Sequence, residues 1–174
     1  MLTGATQVPS PNCDERPDDA ILTLLVVHSI SLPPGKFGGD AIVRFFTNSL
    51  DFSAHPYFQT LKDLRVSAHF LIRRDGEVLQ FAPCAKRAWH AGLSSWCGRE
   101  RCNDFSLGVE LEGADDQGFA ERQYWRLAQL AVVLRTRYPL VDIVGHADIS
   151  QGRKTDPGPS FDWGYYRESF TRIG

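Results

Sequence analysis

The stretch ILTLLVV at residues 21–27, followed by His28, decides the fold because it is a continuous apolar run that ends on a single imidazole. A run of this kind, rich in β-branched residues, is typical of a strand buried on both faces of a sheet. It is far shorter than the roughly 18 apolar residues that a membrane-spanning helix needs. The segment SLPPGKFGGD that comes next is predicted to be a long loop, because proline and glycine interrupt regular structure.

Further strands are predicted where apolar stretches are bounded by turn residues. The dipeptide Asp75-Gly76 is a strong hairpin signal between two of these stretches. Strands therefore outnumber helices, and antiparallel pairing is expected inside the sheet. The predicted strands cover residues 66–72, 77–82, 88–91, 105–111 and 141–144.

Helices are predicted where apolar residues recur every three or four positions. The clearest one covers residues 120–138 and is ended by Pro139, with shorter helices expected over 41–50 and 163–173. The predicted fold class is α/β (α+β): a single domain with a central mixed β-sheet flanked by helices. We expect residues 1–20 to form an N-terminal arm and residues 21–174 to form the domain.

Length and charge narrow the possible functions. A chain of 174 residues has the size of one domain and buries a core without needing a disulfide or a metal. It carries 19 basic and 21 acidic residues, without the basic excess of proteins that bind phosphate backbones. We therefore expect no nucleic-acid partner and no membrane partner, and we expect a monomer because nothing indicates an obligate interface.

The cysteines and the first residues bear on the cellular compartment. The four cysteines form no C-x-x-C pair, and we expect them to be reduced thiols. The first twenty residues are polar and lack the charged and apolar regions of a secretion signal. Both features favour a cytoplasmic protein.

Two histidines come directly after predicted apolar strands: His28 follows LLVV and His146 follows IVG. The end of a strand presents a side chain to a cleft lined by loops. Together with Asp156, these histidines offer two imidazoles and a carboxylate, which suffice for a catalytic zinc whose fourth position is left to water. The residue types alone leave a second interpretation open, in which both histidines bond the backbone and Asp156 is a turn residue.

Glu110 and Lys154 are the candidates for acid–base and electrostatic roles. Glu110 lies in the predicted strand segment GVELEG, where a carboxylate is costly unless it is paired or functional. If it faces the cleft, Glu110 would exchange protons with water and with a leaving amine; otherwise it is an exposed strand residue. Lys154, two residues before Asp156, would stabilise an oxyanion or is a solvated loop lysine.

His69, His90 and His55 are rival ligands by residue type. Their positions favour an interior role for His69 and a loop role for His55, while His90 with Trp89 could form a wall facing sugar or peptide.

Several long segments resemble a known family. They are similar to the zinc-dependent N-acetylmuramoyl-L-alanine amidases, a family related to the peptidoglycan recognition proteins. The resemblance extends from about Val8 to Trp163 and is strongest to cytosolic members that act on anhydro-muramoyl peptides. The segments that carry it are LLVVHSISLPPGKFGG, RVSAHFLIRRDGEVLQF, KRAWHAG, GRERCNDFSLGVELEG and VGHADISQGRKTDPGPSFDW.

The resemblance implies a function and a set of site residues. It implies an amidase/peptidoglycan-recognition-protein-like fold and hydrolysis of the amide between (anhydro-)N-acetylmuramic acid and the L-alanine of the stem peptide, in cytosolic peptidoglycan recycling that affects β-lactamase induction. One zinc ion per chain would be bound by His28, His146 and Asp156, with Glu110 and Lys154 as catalytic residues. Ser29 departs from the asparagine that relatives carry and has a shorter reach. The implied substrate-binding residues are Ser29, Arg65, Trp89, His90 and Arg101.

Three other interpretations remain open. In the first, the protein is a binding module of the same fold that recognises peptidoglycan fragments without cutting them, although such modules lack a complete set of metal ligands. An amidase acting on intact cell wall would need an export signal. A metal-independent structural protein leaves the polar residues of the predicted cleft unexplained.

Overall fold

The fold was obtained as a computed structural model that describes residues 4–173, so residues 1–3 of the expected arm and residue 174 of the expected domain lie outside it. Groups of strands and groups of helices follow one another along this part of the chain. The strands are β1 (Thr6–Gln7), β2 (Cys13–Glu15), β3 (Leu24–Ile30), β4 (Phe70–Ile72), β5 (Val78–Gln80), β6 (Lys86–Ala88), β7 (Ser95–Trp96), β8 (Arg99–Glu100), β9 (Ser106–Glu112) and β10 (Asp142–Gly145). The helices are α1 (Ala41–Phe46), α2 (Pro56–Gln59), α3 (Glu121–Arg137), α4 (His146–Ile149) and α5 (Trp163–Ile173).

Six strands form one mixed sheet in the order β1-β5-β4-β9-β3-β10. The four strands from β4 to β10 in this order are parallel, whereas β4 and β5 form the antiparallel hairpin that Asp75-Gly76 predicted. Gly76 has a φ of 88°, a left-handed conformation that glycine adopts without steric cost. The predicted α/β single domain with a central mixed sheet is therefore confirmed.

The two faces of the sheet are covered differently. Side chains alternate along a strand, so Leu25 and Val27 of β3 lie on one face with Val109 of β9, in a core that includes residues of α3 and α5. On the opposite face lie two smaller apolar clusters, one containing Leu24 and Val26 and the other containing residues of β4, β5 and α1. His28 follows the parity of Val26 and so lies on this opposite face.

The helix predicted over residues 120–138 is confirmed as α3, which ends before Pro139, and α5 covers the predicted segment 163–173. The helix predicted over 41–50 is shorter than expected: α1 stops at Phe46, and Asn48 adopts a left-handed φ of 59°. Within residues 4–173, no helix has both the length and the apolar character needed to cross a lipid bilayer.

One strand prediction is wrong. Residues 88–91 do not extend the sheet, because β6 pairs antiparallel with β2 in a separate two-stranded sheet. The pairing is reinforced by Arg87, whose guanidinium donates to the Asp14 carboxylate at 2.7 and 2.5 Å. Residues 92–104 contain the short hairpin of β7 and β8 and a 3-10 turn at Cys102–Asp104.

The N-terminal segment packs closely on the rest of the chain. Arg16 donates to the carbonyls of Asn103, Asp104 and Ser106 at 2.8 to 2.9 Å, directly before and at the start of β9. Buried Asn12 donates to the carbonyl of Val66 at 2.8 Å. The division of the chain at residue 20 stays a prediction, but residues 6–15 contribute two strands to the fold.

Candidate metal centre and active site

Three adjacent parallel strands bring His28, Glu110 and His146 together. His28 in β3 is the register partner of Glu110 in β9, and His146 follows β10 directly as the first residue of α4. The carboxyl ends of parallel strands meet at one edge of a sheet, which is where α/β folds bind ligands. The parallel topology therefore places all three side chains at one site.

Asp156 reaches the same site from the loop that follows α4. Its backbone carbonyl accepts a hydrogen bond from the N–H of Ala147 at 2.9 Å, which ties the loop to the start of the helix. Its Oδ2 lies 3.2 Å from Nδ1 of His28 and 3.1 Å from Nδ1 of His146, and the two Nδ1 atoms are 3.0 Å apart. The three ligands predicted from the sequence thus converge on one point, as a group able to hold a metal ion.

The spacing of these three atoms fits zinc. Tetrahedral zinc with bonds of roughly 2.0–2.1 Å keeps its ligand atoms about 3.3 Å apart. The measured separations of 3.0 to 3.2 Å are close to that value. A small divalent ion needs only a slight outward movement of the three side chains.

The positions of the protons on the imidazoles also favour metal binding by these three side chains. Nε2 of His146 lies 3.1 Å from the carbonyl oxygen of Ala91, which only accepts, so Nε2 carries the proton and Nδ1 presents a lone pair. Burial lowers the pKa of His28 to about 4 although the hydrogen bond to Asp156 raises it, so this ring is neutral near pH 7. Burial raises the pKa of Asp156, but its contacts with His146 and His28 lower it by more, so the carboxylate is ionised. Two imidazole lone pairs and an ionised carboxylate that face one another are the deprotonated ligands that a metal cation requires.

Glu110 is a partly buried acid beside the metal-binding group. Its Oε2 is one of three buried side-chain N or O atoms without a hydrogen-bond partner among the described residues. Burial raises the pKa of Glu110 well above its ordinary value and the charge of Asp156 raises it further, while Lys154 lowers it by less. A carboxyl group with a raised pKa next to a metal site is suited to taking up and returning a proton.

A cleft of about 690 Å³ opens over these residues. The three candidate ligands and Glu110 line it, together with Ser29, His90 and Lys154. His90 is partly buried, and its Nδ1 lies 2.9 Å from Nε2 of His28. The sequence-predicted ligands, both catalytic candidates and two of the five substrate-binding candidates are therefore brought together.

The other three substrate-binding candidates do not line this cleft. Arg65 lies at its margin between two lining residues and donates to the backbone carbonyls of Lys62 and Leu64. The indole of Trp89 donates to Asp14 of β2. Arg101 is exposed, forms an ion pair with Asp104 at 3.2 Å and lines a separate depression. Their roles in substrate binding stay predictions.

The sequence did not identify the apolar part of the cleft. Phe45, Tyr57, Leu61 and Leu64 line it, and Tyr57 and Leu64 remain 37% and 47% exposed. No motif marks these residues, and the segment around α2 has no helical periodicity long enough to assign a face. The only local signal was the density of apolar residues in a segment that is otherwise polar.

Comparison with known proteins identifies relatives of this chain. Residues 18–159 match the family model described as N-acetylmuramoyl-L-alanine amidase. The chain is 57% identical over 172 residues to the 1,6-anhydro-N-acetylmuramyl-L-alanine amidase AmpD of Citrobacter freundii, which covers 98% of this chain and 92% of the relative. The crystal structure of a Se-Met AmpD derivative matches with a TM-score of 0.95 and 57% identity, over 97% of this chain and 96% of that chain.

A more distant match is the amidase AmiD from E. coli, solved as a complex with the substrate anhydro-N-acetylmuramic acid-L-Ala-D-gamma-Glu-L-Lys. It has a TM-score of 0.62 and 29% identity, over 91% of this chain and 65% of that chain. The sheet and its flanking helices are thus shared with amidases over nearly the whole chain.

Proposed function

From this chain's place among the N-acetylmuramoyl-L-alanine amidases, the family to which it belongs, we propose that it hydrolyses the amide between anhydro-N-acetylmuramic acid and the L-alanine of the stem peptide. The observation that carries the proposal is the convergence of two imidazole nitrogens and a carboxylate oxygen beside the unpartnered carboxyl of Glu110. AmiD, whose structure contains an anhydro-muramoyl peptide, supports this class of substrate.

The metal we propose is zinc, one ion per chain, bound by His28, His146 and Asp156. Bound there, zinc supplies a Lewis acid that polarises the scissile carbonyl and makes water acidic enough to lose a proton near neutral pH. Both histidines would bind through Nδ1, because Nε2 of His146 donates to the Ala91 carbonyl and Nε2 of His28 contacts Nδ1 of His90. The partly buried carboxylate of Asp156 would balance part of the ion's charge.

Glu110 would move the proton in both halves of the reaction. In its ionised form it accepts a proton from the attacking water, and the new carbon–oxygen bond forms as that proton leaves. When the carbon–nitrogen bond then breaks, Glu110 returns the proton to the departing alanine nitrogen, and the carboxylate is regenerated. A raised pKa favours the protonated form in which Glu110 holds the proton between the two halves of the reaction.

Lys154 and the remaining cleft residues would hold the substrate and its developing charge. The Lys154 ammonium lines the cleft and would stabilise the negative oxygen of the tetrahedral intermediate. Ser29 and His90 line the same cleft. Arg65 would reach the acidic groups of the stem peptide from the margin of the cleft, and Arg101 would reach them from the separate depression that it lines, since a guanidinium bonds carboxylates bidentately. Trp89 would support the cleft wall.

The cellular setting is part of the same proposal. An amidase that removes stem peptides from anhydro-muramoyl fragments would act in the cytoplasm during peptidoglycan recycling, as a monomer, and would influence β-lactamase induction by removing the fragment. A non-catalytic binding module is the alternative of a different class. The buried, unpartnered Oε2 of Glu110 disfavours it, because a binding module has no use for a proton carrier at this position.

The test is incubation with an anhydro-muramoyl tripeptide, with and without a chelator, followed by mass analysis. We expect free peptide and free anhydro-muramic acid without the chelator and neither product with it. A protein that retains the intact fragment without cleaving it is a binding module. Release of peptide from intact cell wall at the same rate as from the free fragment would contradict the proposed substrate class.

A further inference from the structure

We propose that His90 is a positioning residue that holds the ring of His28 in the tautomer and orientation needed for metal binding. This role differs from the substrate contact expected from the sequence, and it rests on the metal site of the proposed function. It is carried by a chain of hydrogen bonds that runs from His28 through His90 and Ser106 to a backbone carbonyl, and by a glycine that makes room for the His90 ring.

The direction of these hydrogen bonds follows from the last acceptor in the series, the Cys102 carbonyl. The Cys102 carbonyl only accepts, so Ser106 donates its single hydroxyl proton to it, at 2.5 Å. The Ser106 Oγ, 3.2 Å from Nε2 of His90, must then accept, so His90 carries its proton on Nε2 and presents a lone pair on Nδ1. That lone pair accepts the Nε2 proton of His28 at 2.9 Å.

The consequence for His28 is a free lone pair on Nδ1, the atom that faces Asp156 and His146. If the chain ran in the opposite direction, Nδ1 of His28 would carry the proton and point it into the metal position. That direction would also turn the Ser106 hydroxyl away from the Cys102 carbonyl, against the 2.5 Å separation of these oxygens. The arrangement thus favours the one tautomer of His28 that binds metal through Nδ1.

The His90 ring occupies its position because Gly108 has no side chain there. Gly108 lies in β9 on the same face as Glu110, and a Cβ added to Gly108 would come within 2.5 Å of Cγ of His90. The backbone around His90 is fixed as well, because Oδ1 of Asn103 accepts from the N–H groups of His90 and Ala91 at 3.2 and 2.8 Å. The ring meets His28 edge-on, with centroids 5.0 Å apart.

The test compares zinc affinity in four variants of the full chain, by competition with a chromophoric chelator. His90→Phe keeps the ring volume without an acceptor, and we expect its zinc affinity to fall about 10- to 100-fold. His90→Asn keeps an acceptor near the position of Nδ1, and we expect it to recover most of that loss. Gly108→Ala should weaken zinc binding by displacing the ring, whereas Gly118→Ala, the matched control, has open space around its Cβ and should bind zinc normally.

A second readout reports the tautomer directly. In the zinc-loaded wild-type protein we expect an imidazole ¹H–¹⁵N correlation for Nε2 of His28 with slow proton exchange, and in His90→Phe we expect that proton to exchange faster. Near-UV circular dichroism of the metal-free variants shows whether each one folds. If His90→Phe does not fold, the comparison of Gly108→Ala with Gly118→Ala decides.

The outcomes separate the two proposals. Wild-type zinc affinity in both His90→Phe and Gly108→Ala would overturn the positioning role and leave the metal site intact. A His90→Asn variant as weak as His90→Phe would also overturn it, because the role depends on the acceptor and not on the residue's packing alone. A wild-type protein that binds no zinc would remove the metal site and this inference with it.

Discussion

His28 and Glu110 face each other in register across the parallel strands β3 and β9, with their side chains on the same face of the sheet. The separation between candidate ligand and candidate acid is therefore set by the sheet backbone and not by a mobile loop. A shift of one residue in the pairing would turn one of the two side chains to the opposite face. The central position of both strands in the six-stranded sheet opposes such a shift.

Replacing Glu110 with Gln should abolish most of the activity while leaving zinc bound. The amide has a similar shape but cannot take the proton from water, so we expect kcat to fall by about 10²- to 10⁴-fold. The measurement is steady-state hydrolysis of an anhydro-muramoyl tripeptide together with zinc content by elemental analysis. A variant with near-normal kcat would exclude Glu110 from proton transfer.

The same substitution should stabilise the metal-free fold, increasingly so as pH rises. Below the ordinary carboxyl pKa of 4.5, both folded and unfolded chains hold the proton on Glu110. Above it the unfolded chain releases the proton while the folded chain retains it, so the contribution of Glu110 to stability declines until the pH reaches its folded-state pKa. We therefore expect Glu110→Gln to be more stable than wild type above about pH 4.5, with a difference in unfolding free energy that grows as the pH rises.

Urea denaturation of both metal-free proteins at several pH values measures this difference. A gap in unfolding free energy that stays constant over the range would mean that burial does not raise the pKa of Glu110. Glu77→Gln serves as a control because Glu77 is an exposed partner of Arg73. The difference in unfolding free energy between this variant and wild type should stay near zero.

Lys154→Ala should lower kcat much more than it changes KM. If the ammonium stabilises charge that develops only in the transition state, its loss is expected to cost about 10²- to 10³-fold in kcat. Lys62→Ala is the matched control, since Lys62 is an exposed lysine that does not line the cleft. An equal rise in KM at constant kcat would assign Lys154 to substrate binding instead.

Removal of the metal should abolish activity without unfolding the protein. The apolar cores on the two faces of the sheet do not include the ligands, so we expect the metal-free chain to keep its near-UV circular dichroism. Zinc at about 1,000 times its Kd adds roughly 4 kcal/mol, which should appear as a rise in Tm that grows with zinc concentration. A Tm that does not respond to zinc would contradict binding to the folded state.

Glu112→Gln should loosen the loop that forms one wall of the cleft. Buried Glu112 accepts from the N–H of Gly38 at 2.6 Å and from the N–H of Arg74 at 3.2 Å, with the Arg73 guanidinium 3.7 Å away. We expect a loss of about 1–3 kcal/mol in unfolding free energy, because the amide weakens two charge-assisted hydrogen bonds. Since residues 31–35 line the cleft, KM should rise as well. Unchanged stability would show that the loop is held by other contacts.

Sequence patterns predicted the elements whose signals are local. The apolar run before His28, the Asp75-Gly76 turn and the spacing of apolar residues before Pro139 each correspond to the element found. The candidate ligands were also predictable, because an apolar strand that ends on a histidine places that side chain at the sheet edge. The family resemblance supplied the roles of Ser29 and the arginines, which no local pattern indicates.

Features that depend on contacts between distant segments were not predictable. The strand Lys86–Ala88 has no apolar alternation. Its pairing depends on the ion pair between Arg87 and Asp14, which lies far away in the sequence near the amino terminus. The position of His90 depends on Gly108, eighteen residues later, whose missing side chain carries no signal of its own in one sequence. The apolar wall of the cleft is likewise assembled by folding and not by spacing.

Arg16 links the first residues of the chain to the segment that supports the candidate active site. Its guanidinium donates to the carbonyls of Asn103, Asp104 and Ser106. The Ser106 hydroxyl belongs to the series of hydrogen bonds that reaches His28 through His90. A protein shortened to begin at the first apolar strand would leave these carbonyls without their cationic donor. The amino-terminal segment thus supports the candidate active site from behind, and removing it would weaken the attachment of the segment that holds Ser106.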